Sequence, residues 1–139
     1  MTFARTAFAL TVVVVVALLG ACAHAGGLRC GDGARAMVVD RLYFGTERPG
    51  GVVSDAEWKA FVDETIATDF PGGFTTWDAS GGWLGADGRA LREASHVVEV
   101  VHPPGAAVDD AIARAIGDYR ERFGQEAVMR VALDACVAF

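Results

Sequence analysis

The sequence predicts an α+β fold of four strands and two helices in the order βαββαβ, and three observations carry that prediction. Four β-rich runs are bounded by Gly, Pro or Asp-Gly. Two stretches place apolar residues at helical spacing between recognisable start and stop signals. Strand, helix and strand occur in that order twice, the pseudo-symmetry of a split βαβ motif.

Strand one is expected over 36–45, where Val38, Val39, Leu42, Tyr43 and Phe44 run up to Gly45. Pro49-Gly50-Gly51 closes a loop. Ser54-Asp55-Ala56-Glu57 has the form of a capping box, in which the Ser hydroxyl and the Glu carboxylate each satisfy the other's amide, and Val53 and Trp58 occupy hydrophobic-staple positions. Trp58, Phe61, Val62, Thr65 and Ile66 then recur on one helical face. Phe70-Pro71 ends the helix, because a residue before proline is pushed out of the helical region.

Strand two is expected over 74–83 and strand three over 95–102, with pairing already under way from Arg89. Asp87-Gly88 reads as a two-residue hairpin turn, since the pair tolerates the positive φ angles such turns require. That turn sets Trp77 opposite Val98, Ala79 opposite His96 and Trp83 opposite Arg92; a bulge among Gly81, Gly82 and Gly85 would shift the register. Helix two is expected over 107–123, with Val108, Ile112, Ala115, Ile116, Tyr119 and Phe123 as its apolar stripe and Gly124 as its C-cap. Asp110, Arg114, Asp118 and Arg122 alternate in sign every four residues, the pattern of an ion-pair ladder along one helix. Strand four is expected over 127–139.

This order suggests the ferredoxin-like arrangement, a four-stranded antiparallel sheet with both helices on one face. Strands one and four are then antiparallel neighbours, which brings Cys30, just before the former, close to Cys136, near the end of the latter. A disulfide between them would close a long loop and contribute on the order of 4–5 kcal/mol by chain entropy. Two free buried thiols are the alternative. There is no CxxC and no paired Cys/His spacing, so no metal site is expected, and no cofactor. Gly31-Asp32-Gly33-Ala34-Arg35-Ala36 matches the dinucleotide pattern GxGxxA, but it lacks the preceding strand and following helix that give the pattern meaning.

Ahead of the domain, Arg5 is the only charge before an apolar run over 7–19 that is too short to span a bilayer. A basic start, a short apolar core and small residues at the end make a secretory signal over 1–21. Leu19-Gly20-Ala21-Cys22 resembles the lipobox of bacterial lipoproteins, in which the cysteine is acylated and becomes the first residue. The resemblance implies lipidation at Cys22, a flexible tether over 22–35 and a single domain over 36–139, exported and held at the membrane. The signal holds one Arg and no acid, so the remainder is more acidic than the −6 of the whole chain, and Lys59 is the only lysine. Such a surface argues against nucleic-acid binding and against charge-driven docking on anionic lipid, so attachment is expected to come from the lipid itself.

Leu42-Tyr43-Phe44-Gly45, Val53-Ser54 with Glu57-Trp58 and Phe61, Phe70-Pro71-Gly72-Gly73-Phe74-Thr75, Gly82-Trp83, Arg92-Glu93-Ser95 and Arg122-Phe123-Gly124-Gln125-Glu126 together resemble a bacterial family catalogued as domain of unknown function 3574. The resemblance spans roughly 42–139; Phe74 stands where an aliphatic residue is expected. The family's members are often predicted to be lipoproteins or secreted proteins, and it has no activity to carry over to particular residues.

Two functional expectations follow from the residues. The first is a non-enzymatic module binding an envelope partner or small ligand on the glycine-rich hairpin, with Trp77, Trp83, Arg92 and Glu93 as contact residues. Arg92 is expected to pair with Glu93 or stack on Trp83. The second is a small acid–base enzyme using His96, Asp78 and Tyr43, resembling the dimeric α+β-barrel proteins that pair such sheets face to face. In either case the open sheet face can pair a second copy into a homodimer. His102, before Pro103 at a strand end, reads as a solvent-facing cap, and His24 in the tether has no assigned role.

Overall fold

The computed structural model describes residues 28–139 apart from 85 and 86. The expected signal segment and Cys22 lie outside these residues. Strand β1 (Arg35–Gly45) is followed by a two-stranded ribbon of β2 (Glu47–Arg48) and β3 (Gly51–Val52) where the sequence suggests only a loop. Helix α1 begins at Asp55–Phe61, continues through a π-helical stretch (Val62–Ile66) and ends with Ala67–Asp69. Strands β4 (Thr75–Leu84) and β5 (Ala90–His102) form the long hairpin, α2 (Ala106–Phe123) crosses back, and β6 (Met129–Val137) completes the sheet. The order across the sheet is β4-β5-β1-β6, all pairs antiparallel, which is the ferredoxin-like arrangement.

Local chemistry sets the start of α1 and the end of α2 where the sequence placed them. Ser54 accepts from the Glu57 amide while Glu57 Oε2 accepts from the Ser54 amide at 2.9 Å, completing the capping box. Arg48 adds two bonds to the same carboxylate. Hydrogen bonds from the Ser54 backbone and hydroxyl, then from Arg48, hold Glu57 down at about 2. Gly124 caps α2 in the left-handed region, φ 66°, that other residues enter at a cost.

The core lies between the sheet and the helices. Leu42, Phe44, Val98 and Val100 meet Phe61, Ile66, Ile112, Ala115, Tyr119 and Phe123 there. Tyr119 is its aromatic hub, with ring centroids 4.7 Å from Phe44, 5.0 Å from Phe61 and 4.7 Å from Phe123. Edge-on and tilted aromatic pairs of this kind add roughly 0.5–1.5 kcal/mol each beyond area burial. The π-helical residue step lets Phe61 and Ile66, five apart, both turn inward.

Three expectations are corrected. The hairpin does not close as a two-residue turn at Asp87-Gly88: Leu84 pairs with Ala90, Asp87 Oδ1 accepts from the Arg89 amide, and Gly88 takes the positive φ. The register therefore moves by one, so that Trp77 faces Val97, Asp78 faces His96, Ala79 faces Ser95 and Trp83 faces Leu91. The α2 charges do not form a ladder along one helix; Arg114 and Arg122 instead reach across to Asp69 and Glu64 of α1, at 2.9 and 2.7 Å. These exposed pairs orient the two helices more than they stabilise them.

Cys30 and Cys136 form a disulfide, joining the approach to β1 to the end of β6. The chain is thus fixed from Cys30 onward, inside the stretch expected to be tether, and Gly31–Ala34 is a turn leading into β1 and not a phosphate-binding loop. The bond points to an oxidising, exported setting. No helix among the described residues is long and apolar enough to cross a membrane.

Candidate functional site

Side chains alternate across a strand, so the sheet sorts the candidate residues by parity. Even-numbered residues of β1 and β5 turn towards the helices, as the burial of Leu42, Phe44, His96, Val98 and Val100 shows. Odd-numbered ones, Tyr43 among them, turn to the open face.

His96 is buried against Trp58, the rings stacked with centroids 4.4 Å apart and nearly parallel. Its Nδ1 lies 2.7 Å from Asp78 Oδ1, and Asp78 stands at the sheet edge with its side chain 88% exposed. Tyr43 is on the other side of the sheet, so the expected set of His96, Asp78 and Tyr43 does not converge on one substrate. Register places Arg92 opposite Gly82, and Trp83 opposite Leu91. Arg92 and Glu93, as strand neighbours, point to opposite faces and form no ion pair with each other.

His102 is not a solvent-facing cap. It is buried, with Nε2 2.8 Å from Asp40 Oδ2 and Nδ1 2.8 Å from the Pro103 carbonyl oxygen. Both ring nitrogens face oxygen atoms. Asp40 is fully buried and also takes two bonds from Arg130, at 2.6 and 2.9 Å, and Arg130 continues to Asp109 at the start of α2. Burial pushes the Asp40 carboxyl up, but hydrogen bonds and charge from Arg130 and His102 outweigh it and hold the carboxyl below its usual range. Asp40 raises the Arg130 guanidinium in return. The network ties β1, β5, β6 and α2 together.

The open face carries the larger feature, a cavity of about 630 Å³ within the size range of small-ligand sites. Its floor comes from the sheet (Tyr43, Gly45, Gly81, Glu93, Ser95) and its wall from the β2–β3 ribbon and the segment after α2. The Glu93 carboxylate lies close over Gly45, where a Cβ would oblige it to shift. Glu93 Oε1 accepts from the Glu47 amide, and Gln125 donates to the Glu47 carbonyl, which fastens ribbon and post-helix segment to the rim. From below, the Tyr119 hydroxyl donates to the Gly45 carbonyl at 2.9 Å; burial, with the Glu93 charge, pushes that phenol well above its ordinary value. Arg48 at the rim is committed to Glu57 and stacks over Phe123, so the carboxylates of Glu47, Glu93 and Glu126 set the sign of the cavity. The arrangement can accept hydrogen bonds from a cationic or donor group while Tyr43, Pro49 and Met129 offer apolar contact.

Of the hairpin residues expected at a binding surface, Trp77 lies on the open face and is partly exposed, and Glu93 lines the cavity. The hairpin tip holds only a second, smaller cleft beside Gly82, Leu91 and Arg92. Among the described residues no group of three or more His, Cys, Asp or Glu is placed to hold a metal ion, and no buried side-chain polar atom lacks a partner.

Solved structures similar to this chain include the following. A phage SAM lyase in complex with S-methyl-5'-thioadenosine is 16% identical, covers 81% of this chain and 95% of its own, and superposes with a TM-score of 0.52. The B. subtilis GlnK–ATP complex is 14% identical over 76% of this chain and 85% of its own, with a TM-score of 0.47. No curated protein matches the sequence. The family described as "Protein of unknown function (DUF3574)" matches residues 39–139, which take in both helices and most of the sheet, and the chain belongs to that family.

Proposed function

We propose that this protein is an exported binding module, held at the membrane through Cys22, whose cavity on the open sheet face takes a small ligand bearing a cationic or hydrogen-bond-donating group. The observation that carries the reading is the Glu93 carboxylate, seated over Gly45 in a cavity whose only lining guanidinium, Arg48, is already paired. A carboxylate so placed accepts from a ligand at little cost in reorganisation, and the apolar wall supplies contact area.

Hexylammonium serves as a probe of this chemistry. Titrated into the ¹⁵N-labelled protein, it is expected to shift the amides of Tyr43, Gly45, Ser95 and Met129, and Glu93→Gln is expected to weaken that response at least tenfold. Shifts spread over the whole surface, or a response untouched by Glu93→Gln, would count against the cavity. Attachment has its own check. Cys22→Ser should move the protein from the membrane fraction to the soluble one, and continued membrane retention would contradict lipidation.

A further inference from the structure

The open face is apolar well beyond the cavity. Reading across the sheet, one row holds Trp77, Val97, Tyr43 and Met129, the next Thr75, Glu99, Arg41 and Val131, and the next Val101, Val39 and Leu133. Trp77, Val101, Met129 and Leu133 are all large, apolar and exposed, at 39%, 38%, 56% and 47%. The only charges in these rows are Arg41 and Glu99, paired at 2.7 Å on the two central strands. Four strands spaced about 4.8 Å apart and about nine residues long make a face of roughly 19 by 30 Å. That corrugated area approaches the roughly 800 Å² per partner of a standard interface.

We propose that a second copy of this chain covers this face, about a two-fold axis that runs parallel to the strands midway between β1 and β5. This choice of axis follows from the charges. Arg41 and Glu99 share a row and sit on either side of that axis. Rotation therefore lays Arg41 of one copy over Glu99 of the other, twice, and the two intrachain pairs become a four-charge cluster of alternating sign. A two-fold axis in the same plane but perpendicular to the strands, passing through this row, would lay Glu99 over Glu99 and Arg41 over Arg41. Like charges at a desolvated interface cost several kcal/mol. The favoured axis also lays Trp77 over Met129, an aromatic–thioether contact. It keeps the strands of the two sheets aligned, the common way for sheets to pack. A lipid surface fits the face less well, because the charge pair lies at its centre and the chain is acidic with a single lysine. The inference does not depend on the cavity reading; a second copy would simply roof the cavity, which opens on the same face.

Native mass spectrometry of the full chain, released from detergent at micromolar concentration, tests it. The wild-type chain is expected as two copies. Arg41→Glu and Glu99→Arg, each alone, put like charges across the axis and are expected to be single copies with circular dichroism unchanged. Mixed in equal amounts, they place opposite charges across the axis again and should form dimers containing one copy of each, recognised by their intermediate mass. A role confined to the intrachain ion pair would not be rescued by mixing. Leu133→Glu, which breaks no ion pair, should likewise abolish the dimer. A wild-type chain of one or three copies, folded variants that fail to pair on mixing, or a dimer that survives Leu133→Glu would each overturn the proposal.

Discussion

Strand β5 carries two histidines on its helix-covered face, six residues apart, and each meets an aspartate at nearly the same distance, 2.7 Å for His96–Asp78 and 2.8 Å for His102–Asp40. Asp78 is 88% exposed at the sheet edge, whereas Asp40 is fully buried with a second partner in Arg130. Distance alone would rank the pairs as equals. Solvent separates them, because a carboxylate in water is already well satisfied, while a buried one depends on its partners and becomes costly when any of them is lost. The first pair is a surface contact beside a stacked ring; the second is a structural joint among three strands and a helix.

Breaking the joint should give the largest effect. Asp40→Asn leaves Arg130 and His102 without their shared anion and is expected to cost about 3–5 kcal/mol, read by urea unfolding at neutral pH. The same variant sharpens the pH argument. Asp40 titrates lower in the folded chain than its usual value, so its contribution is present above the ordinary carboxylate range and is lost as pH falls through the lowered value. Wild-type stability should therefore decline below about pH 4, and Asp40→Asn should flatten that decline without abolishing it, since Glu57, held at about 2, adds a decline of the same sign. A variant as stable as the wild type would remove the distinction between the two pairs. Asp78→Asn should be the mild counterpart, costing under about 1 kcal/mol in the same assay.

The contrast also marks what the sequence makes legible. The elements follow from local signals: alternation in β1, the Ser54–Glu57 box, the stop at Phe70-Pro71 and the glycine cap after Phe123. Their order implies the sheet, and the sheet brings Cys30 beside Cys136. The hairpin register is not local, because Asp87 uses its side chain to build a longer loop and every facing pair moves with it. Asp40 had a readable signal, an acid on the inward phase between Val38 and Leu42, but its partners His102 and Arg130 lie 62 and 90 residues away. The cavity is less visible still. It needs Glu93 folded over Gly45 and a wall contributed from after α2, none of which shares a sequence pattern.

The proposed division of labour between the two faces, with the His102–Asp40 joint on the helix side holding structure and the cavity on the open side binding ligand, is tested most directly by one comparison. The hexylammonium titration should be run on Glu93→Gln and Asp78→Asn side by side. Glu93→Gln is expected to lose the response at Tyr43, Gly45 and Ser95 while Asp78→Asn keeps it at wild-type strength. Loss in Asp78→Asn with retention in Glu93→Gln would place the site at His96 and contradict it.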